Sequence, residues 1–223
     1  MTELDGPRLN PRSGTAKQLV VFLHGYGADG NDLIDIGRAW QQYLPQAAFV
    51  SPHAPEPCGQ GPAGRQWFAL TLRDPDERWV GVNKAGPQLE RFLEAELDRH
   101  RLPPSALALV GFSQGTMMAL HAGLRRASGP AAIVGYSGLL VLPTEGEIED
   151  LAGGIKSRPP VLLVHGDRDE LIPPEALVQS AQGLAALGLS VEWHISAGIG
   201  HGIDAEGLRH GGEFLARAFA TAR

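Results

Sequence analysis

The sequence predicts an α/β fold: a mostly parallel central sheet with helices on both faces and no large cap domain. Short apolar runs rich in β-branched residues alternate with longer amphipathic segments, as strands buried on both faces alternate with the helices that cover them. With 223 residues, 43% of them hydrophobic, the chain can bury one substantial core but is short for two. Residues 1–223 are therefore expected to form a single domain, with 1–17 flexible or extended.

The elements follow in order. Strands are expected at Gln18–Leu23, Ala48–Ser51, Ala106–Phe112, Ala132–Tyr136, Val161–His165 and Val191–Ile195. Helical spacing of apolar residues marks Asp32–Tyr43, Val82–His100, Gln114–Ala127, Pro174–Leu187 and Asp204–Thr221 between and after them. Two stretches break the alternation. Pro52–Asp76 is too long and too rich in proline for a simple connection, and is expected to fold as an ordered loop over one end of the sheet. Its Trp67 and Phe68 either line a pocket or plug the core beneath the loop. The second stretch, Leu139–Arg158, carries an acidic run from Thr144 to Asp150 that is either solvated or borders a site and disfavours anionic substrates.

Composition narrows the function classes. A net charge of −6 without long like-charge runs offers no surface for nucleic acid or an anionic membrane. No apolar segment reaches membrane length, and the polar N-terminus lacks the apolar centre of a signal peptide, so a cytoplasmic protein is expected. The one cysteine, Cys58, cannot form an intramolecular disulfide, and no Cys/His cluster has metal-ligand spacing. Neither a metal nor a cofactor is expected.

The densest chemical signal is Gly111-Phe112-Ser113-Gln114-Gly115, directly after the apolar run Ala106–Val110 and before a helical segment. A serine between two glycines at a strand-to-helix turn is a nucleophile elbow. The tight turn strains its central residue, and small neighbours let strand and helix approach closely. The hydroxyl then stands at a helix N-terminus, where free N–H groups favour developing negative charge. The alternative is a serine that merely caps the helix.

A serine nucleophile needs a base, and the base needs a carboxylate. Of eight histidines, His201 follows the last strand run between Gly200 and Gly202, so its loop can carry the ring to a neighbouring strand end. The other reading of His201 is a helix cap. His100, His121 and His210 fall within helices, His194 within a strand, His165 at a strand end and His53 in the long loop. For the acid, the turn after Val161–Val164 offers Asp167, Asp169 and Glu170. Asp169 is preferred, because Asp167 is better placed to bond the turn's own N–H groups, and Glu170 ranks third. The glycine-rich turn Leu23-His24-Gly25-Tyr26-Gly27 suits an oxyanion site, with Tyr26 and Gln114 donating through main-chain N–H groups. It lacks the lysine and Ser/Thr of a phosphate-binding P-loop.

Four blocks, Phe22–Gly30, Gly111–Gly115, His165–Pro173 and Gly200-His201, resemble the phospholipase/carboxylesterase family of α/β-hydrolases, which includes acyl-protein thioesterases and small bacterial carboxylesterases. The resemblance runs from about Leu19 to the terminal helix. It implies an α/β-hydrolase fold and makes Ser113 the nucleophile, Asp169 the acid and His201 the base, with Tyr26 and Gln114 at the oxyanion hole. The order Ser113, Asp169, His201 is that of α/β-hydrolases generally. Two departures bear on substrate. Tyr26 stands where many relatives have leucine, and Trp67-Phe68 is followed by Ala69 where relatives commonly carry an acid. The expected activity is hydrolysis of small carboxylic esters of short to medium acyl length with broad tolerance. The alternative is deacylation of lipidated proteins or lysophospholipids, and a non-catalytic binding module is disfavoured because every candidate catalytic position is filled. A dienelactone-type hydrolase would want cysteine at the elbow, and Cys58 is elsewhere. The expected partner is a small-molecule ester or thioester, with no nucleic acid and no stable membrane insertion; a homodimer is left open.

Overall fold

A computed structural model describes residues 3–59, 64–71, 74, 76–143 and 146–221. Its main sheet runs in the order β1-β3-β2-β6-β7-β8-β9. The strands are β1 (Arg8–Leu9), β2 (Gln18–Leu23), β3 (Ala47–Val50), β6 (Leu107–Phe112), β7 (Ala132–Tyr136), β8 (Val161–Gly166) and β9 (Val191–Ser196). All neighbours pair in parallel except β1, which runs antiparallel to β3 at the edge. A separate two-stranded ribbon, β4 (Glu56–Pro57) with β5 (Arg65–Gln66), lies within the long loop. The α/β-hydrolase class expected from the sequence is the observed one.

Alternate residues along each central strand face opposite layers, because a strand repeats every two residues. Leu19, Val21 and Leu23 of β2, Leu107 and Leu109 of β6, and Val161 and Leu163 of β8 join one core. That core is covered by α2 (Glu77–His100), α3 (Gln114–Arg125) and α5 (Glu175–Ala186). Val20 and Phe22, Ala108 and Val110, and Leu162 and Val164 face the other, under α1 (Gly30–Trp40) and α6 (Ala205–Thr221). Burial on both faces explains why the strands read as unbroken apolar runs rather than as alternating ones.

The connections set where a ligand can enter. From β2 the chain crosses through α1 to β3 on one side, whereas from β6 it crosses through α3 to β7 on the other. At such a reversal the flanking loops diverge and leave a crevice at the strands' carboxyl ends. Leu23 and Gly111 are paired at those ends, which places the turns after both residues side by side.

Residues 3–17 are tied down. Leu4 and Ala16 are buried, β1 pairs with β3, and Arg8 donates to both carboxylate oxygens of the buried Glu96 on α2, at 3.1 and 2.8 Å. In the second irregular stretch α4 (Glu149–Ala152) forms a single turn. Within the acidic run Glu147, Glu149 and Asp150 are exposed, whereas Thr144 and Glu145 lie outside the described residues, as do 60–63, 72, 73 and 75 of the long loop. Among the described residues no helix is long and apolar enough to cross a membrane.

Candidate active site

Ser113 lies between β6 and α3 with φ 53° and ψ −116°, a conformation that a side-chain-bearing residue rarely adopts and that costs energy to hold. The glycines on either side make it feasible. A Cβ on Gly111 would overlap the Gly115 carbonyl, and one on Gly115 would overlap the Leu23 carbonyl. The strained peptide is pinned by Ser113 N–H donating to the Tyr136 carbonyl at 2.9 Å, and the Ser113 carbonyl accepts from Thr116 N–H at 3.0 Å. The hydroxyl makes no capping bond to α3, so of the two readings of this serine the simple cap does not describe it.

Asp169 and His201 meet. Asp169 Oδ2 lies 2.7 Å from His201 Nδ1, and its Oδ1 accepts from the N–H groups of Leu171 and Ile172, each at 2.9 Å. The carboxylate is fully buried, whereas the imidazole keeps 17% of its surface exposed. Since a carboxylate only accepts, Nδ1 carries the proton of that bond and Nε2 is the free nitrogen. The His201 ring packs 5.0 Å, centroid to centroid, from Phe112, the residue before Ser113. His165 carries no catalytic signal in the sequence, yet its Nε2 lies 3.1 Å from the same Asp169 Oδ2 and 2.8 Å from the Ile172 carbonyl. Asp169 therefore sits between two imidazoles.

The loops carrying Asp169 and His201 are locked together. The sequence places Asp167 on the N–H groups of its own turn. Instead its Oδ1 accepts from Gly198 N–H at 2.6 Å, across in the His201 loop. Arg168 N–H donates to the Ile199 carbonyl at 2.9 Å, and a Cβ on Gly166 would overlap the carbonyls of Ile199 and Gly200. Ser137 Oγ reaches the Gly202 carbonyl at 3.2 Å, tying the end of β7 to the same loop.

The turn after β2 lies directly over the serine: a Cβ on Gly25 would come within 3.4 Å of the Ser113 Cβ. Among the described residues the N–H groups of Tyr26 and Gln114 have no hydrogen-bond partner in the fold. His24 aims the first of them. Its Nε2 accepts from Ala54 N–H at 3.0 Å, so its Nδ1 bears the proton and donates to the Gly25 carbonyl at 2.8 Å. In a trans peptide, fixing the Gly25 carbonyl fixes the Tyr26 N–H in the opposite direction. Burial pushes the His24 pKa down, which keeps this neutral tautomer in place.

Trp67 and Phe68 are each only 2% exposed and belong to the core under α2 and α3. The core-plug reading describes them, and the expectation that they line an open pocket is corrected: their indole and phenyl groups fill space beneath the loop. Their backbone nevertheless supports the site. Gln114 Oε1 accepts from Trp67 N–H at 2.9 Å and its Nε2 donates to the Phe68 carbonyl at 2.8 Å, while Trp67 Nε1 donates to the His24 carbonyl at 3.0 Å. The long loop is thus fastened to both the elbow and the turn after β2.

A family model described as phospholipase/carboxylesterase matches residues 5–218. The chain belongs to the phospholipase/carboxylesterase family. Among solved structures of this fold, the esterase PE8 is 43% identical, with a TM-score of 0.91 over 97% of this chain and 100% of that one. Curated relatives include acyl-protein thioesterase 1 of Gibberella zeae, 28% identical over 94% of each chain. Esterase YpfH of Escherichia coli is 29% identical over 85% of this chain and 78% of its own. The family resemblance read from the four sequence blocks is therefore the relationship found.

Proposed function

We propose that the chain is a serine hydrolase that cleaves carboxylic esters of short to medium acyl length through an acyl-enzyme on Ser113. The observations that support this reading are a strained, uncapped serine next to Phe112 and an Asp169–His201 pair whose imidazole packs against Phe112. His201 Nε2 takes the proton of Ser113 as its oxygen attacks the ester carbonyl. Asp169 stabilises the imidazolium so formed, and the N–H groups of Tyr26 and Gln114 receive the oxyanion. The imidazolium then protonates the departing alcohol. Water, deprotonated by the same nitrogen, attacks the acyl-enzyme and releases the acid.

A thioester reading is supported by the name of the Gibberella zeae relative, and the same machinery would serve it.

The test is Ser113→Ala, with p-nitrophenyl butyrate as substrate and a fluorophosphonate as covalent probe. Cleavage should fall by at least about a thousandfold and labelling should vanish. Unchanged labelling would overturn the assignment. An ester and thioester panel of rising acyl length on the unaltered protein ranks the substrates.

A further inference from the structure

Away from the serine, the edge strand β9 and the terminal helix α6 bring three metal-binding side chains together. Among the described residues, His194, Glu206 and His210 each offer a ligand atom within 4.8 Å of the others. The two imidazole rings lie 4.4 Å apart, centroid to centroid, and His210 Nε2 is 3.7 Å from Glu206 Oε1. Glu206 and His210 are four apart on α6, so helix geometry puts both on one face. The same i, i+4 spacing presents paired ligands in helical zinc motifs.

An orphaned polar atom points to a ligand. His194 Nε2 is buried and has no hydrogen-bond partner, whereas buried polar atoms in folded proteins are almost always paired. A neutral imidazole nitrogen in that state is a lone pair or an N–H with nothing to meet. Arg209 pairs with Glu213 at 2.9 Å and stands 3.8 Å from Glu206 Oε1, and its Nη2 lies 3.4 Å from His210 Nε2, a contact that a bound ion would displace.

We propose that His194, Glu206 and His210 form a binding site for a divalent transition-metal ion, zinc being the best match, that staples β9 to α6. Two imidazoles and one carboxylate are a recognised zinc donor set, with one position left for water. Tetrahedral zinc would set the ligand atoms roughly 3.3 Å apart. Glu206 is exposed and already 3.7 Å from His210 Nε2, so its carboxylate is free to turn toward an ion between the imidazoles. The ion would join the two elements that bracket the loop carrying His201. The ligands come from a strand and a helix, twelve and more residues apart, so no local Cys/His spacing announces them.

Calorimetric titration of the chelator-stripped full chain with zinc chloride tests this. One ion per chain is expected, together with a rise in melting temperature as zinc saturates the fold. His194→Ala and His210→Ala should each weaken binding by roughly tenfold or more. His100→Ala, at the end of α2, should leave it unchanged. Absence of saturable binding to the unaltered chain, or binding that survives both alanine variants, would overturn the proposal. If His194→Ala does not fold, His210→Ala and Glu206→Gln on the exposed helix face decide the matter alone. Ser113→Ala should bind zinc as the unaltered chain does, which separates this site from the proposed hydrolysis.

Discussion

Asp169→Asn tests the geometry of the proposed machinery most sharply, because the surrounding bonds dictate how an asparagine must sit. Oδ1 of Asp169 accepts two N–H groups, from Leu171 and Ile172. Only the carbonyl oxygen of an amide can occupy that side. The NH₂ must then face His201 Nδ1, where a proton already stands. The conflict is relieved if His201 moves its proton to Nε2 and accepts from the amide with Nδ1, but Nε2 then cannot receive the Ser113 proton. In serine proteases of the chymotrypsin type, the same exchange of the triad aspartate for asparagine traps the wrong tautomer and lowers kcat by about ten thousandfold. A loss of that order, about 5 kcal/mol of transition-state stabilisation, is expected here. His165 keeps the Ile172 carbonyl as an alternative partner for its Nε2 proton, so the fold should lose little. Steady-state hydrolysis of p-nitrophenyl butyrate measures the loss, and thermal unfolding checks the fold. A fall of less than tenfold in an intact protein would refute the assignment of Asp169 and His201.

Two further outcomes follow. His24→Ala removes the donor that fixes the Gly25 carbonyl and should lower kcat by roughly ten- to a hundredfold with little change in KM. That is less than the hundred- to thousandfold cost of deleting an oxyanion donor outright, and an unchanged kcat in Michaelis–Menten kinetics would count against the aimed Tyr26 N–H. The second concerns His121, buried against Trp79, whose pKa is pushed down to about 3 by burial and then by Arg125. With the folded pKa below the unfolded value near 6.5, the unfolded chain alone takes up the proton, so this contribution is complete above pH 6.5 and is lost as pH falls toward 3. Denaturant melts should show about 3 kcal/mol lost between pH 6.5 and 4 on this account, and His121→Leu should flatten that slope; an identical slope in the variant would refute it.

Much of this was legible in the chain because the relevant signals are local. β2 and β7 begin and end where the apolar runs do, since strands buried on both faces leave no polar residue to blur their limits. The elbow was legible because its glycines are a steric requirement rather than a preference. Short elements escaped: β1, β4, β5 and α4 are two to four residues long and are held by partners remote in sequence rather than by their own periodicity. α2 starts at Glu77, before the expected Val82, because Arg78, Val80 and Gly81 carry no clear apolar face. Trp67 and Phe68 could not be placed from sequence, since an aromatic residue under a loop and one facing a cleft have the same neighbours along the chain. The roles of His24, His165 and Asp167 depend on atoms brought in from other turns, and no spacing rule encodes those.

The bonds between the turn after β8 and the loop after β9 also make one part of the site rigid. With Asp167 fastened to Gly198, Arg168 to Ile199, and no room for a side chain at Gly166, residues 166–172 and 197–202 form one inflexible block. Changing the length of either segment would displace both the acid and the base. Among the described residues, the stretch from Leu139 to Arg158 bears no comparable clamp to that block. Altered specificity, in descendants of this protein or in the laboratory, should therefore arise outside residues 166–172 and 197–202, leaving the block that holds the acid and base untouched.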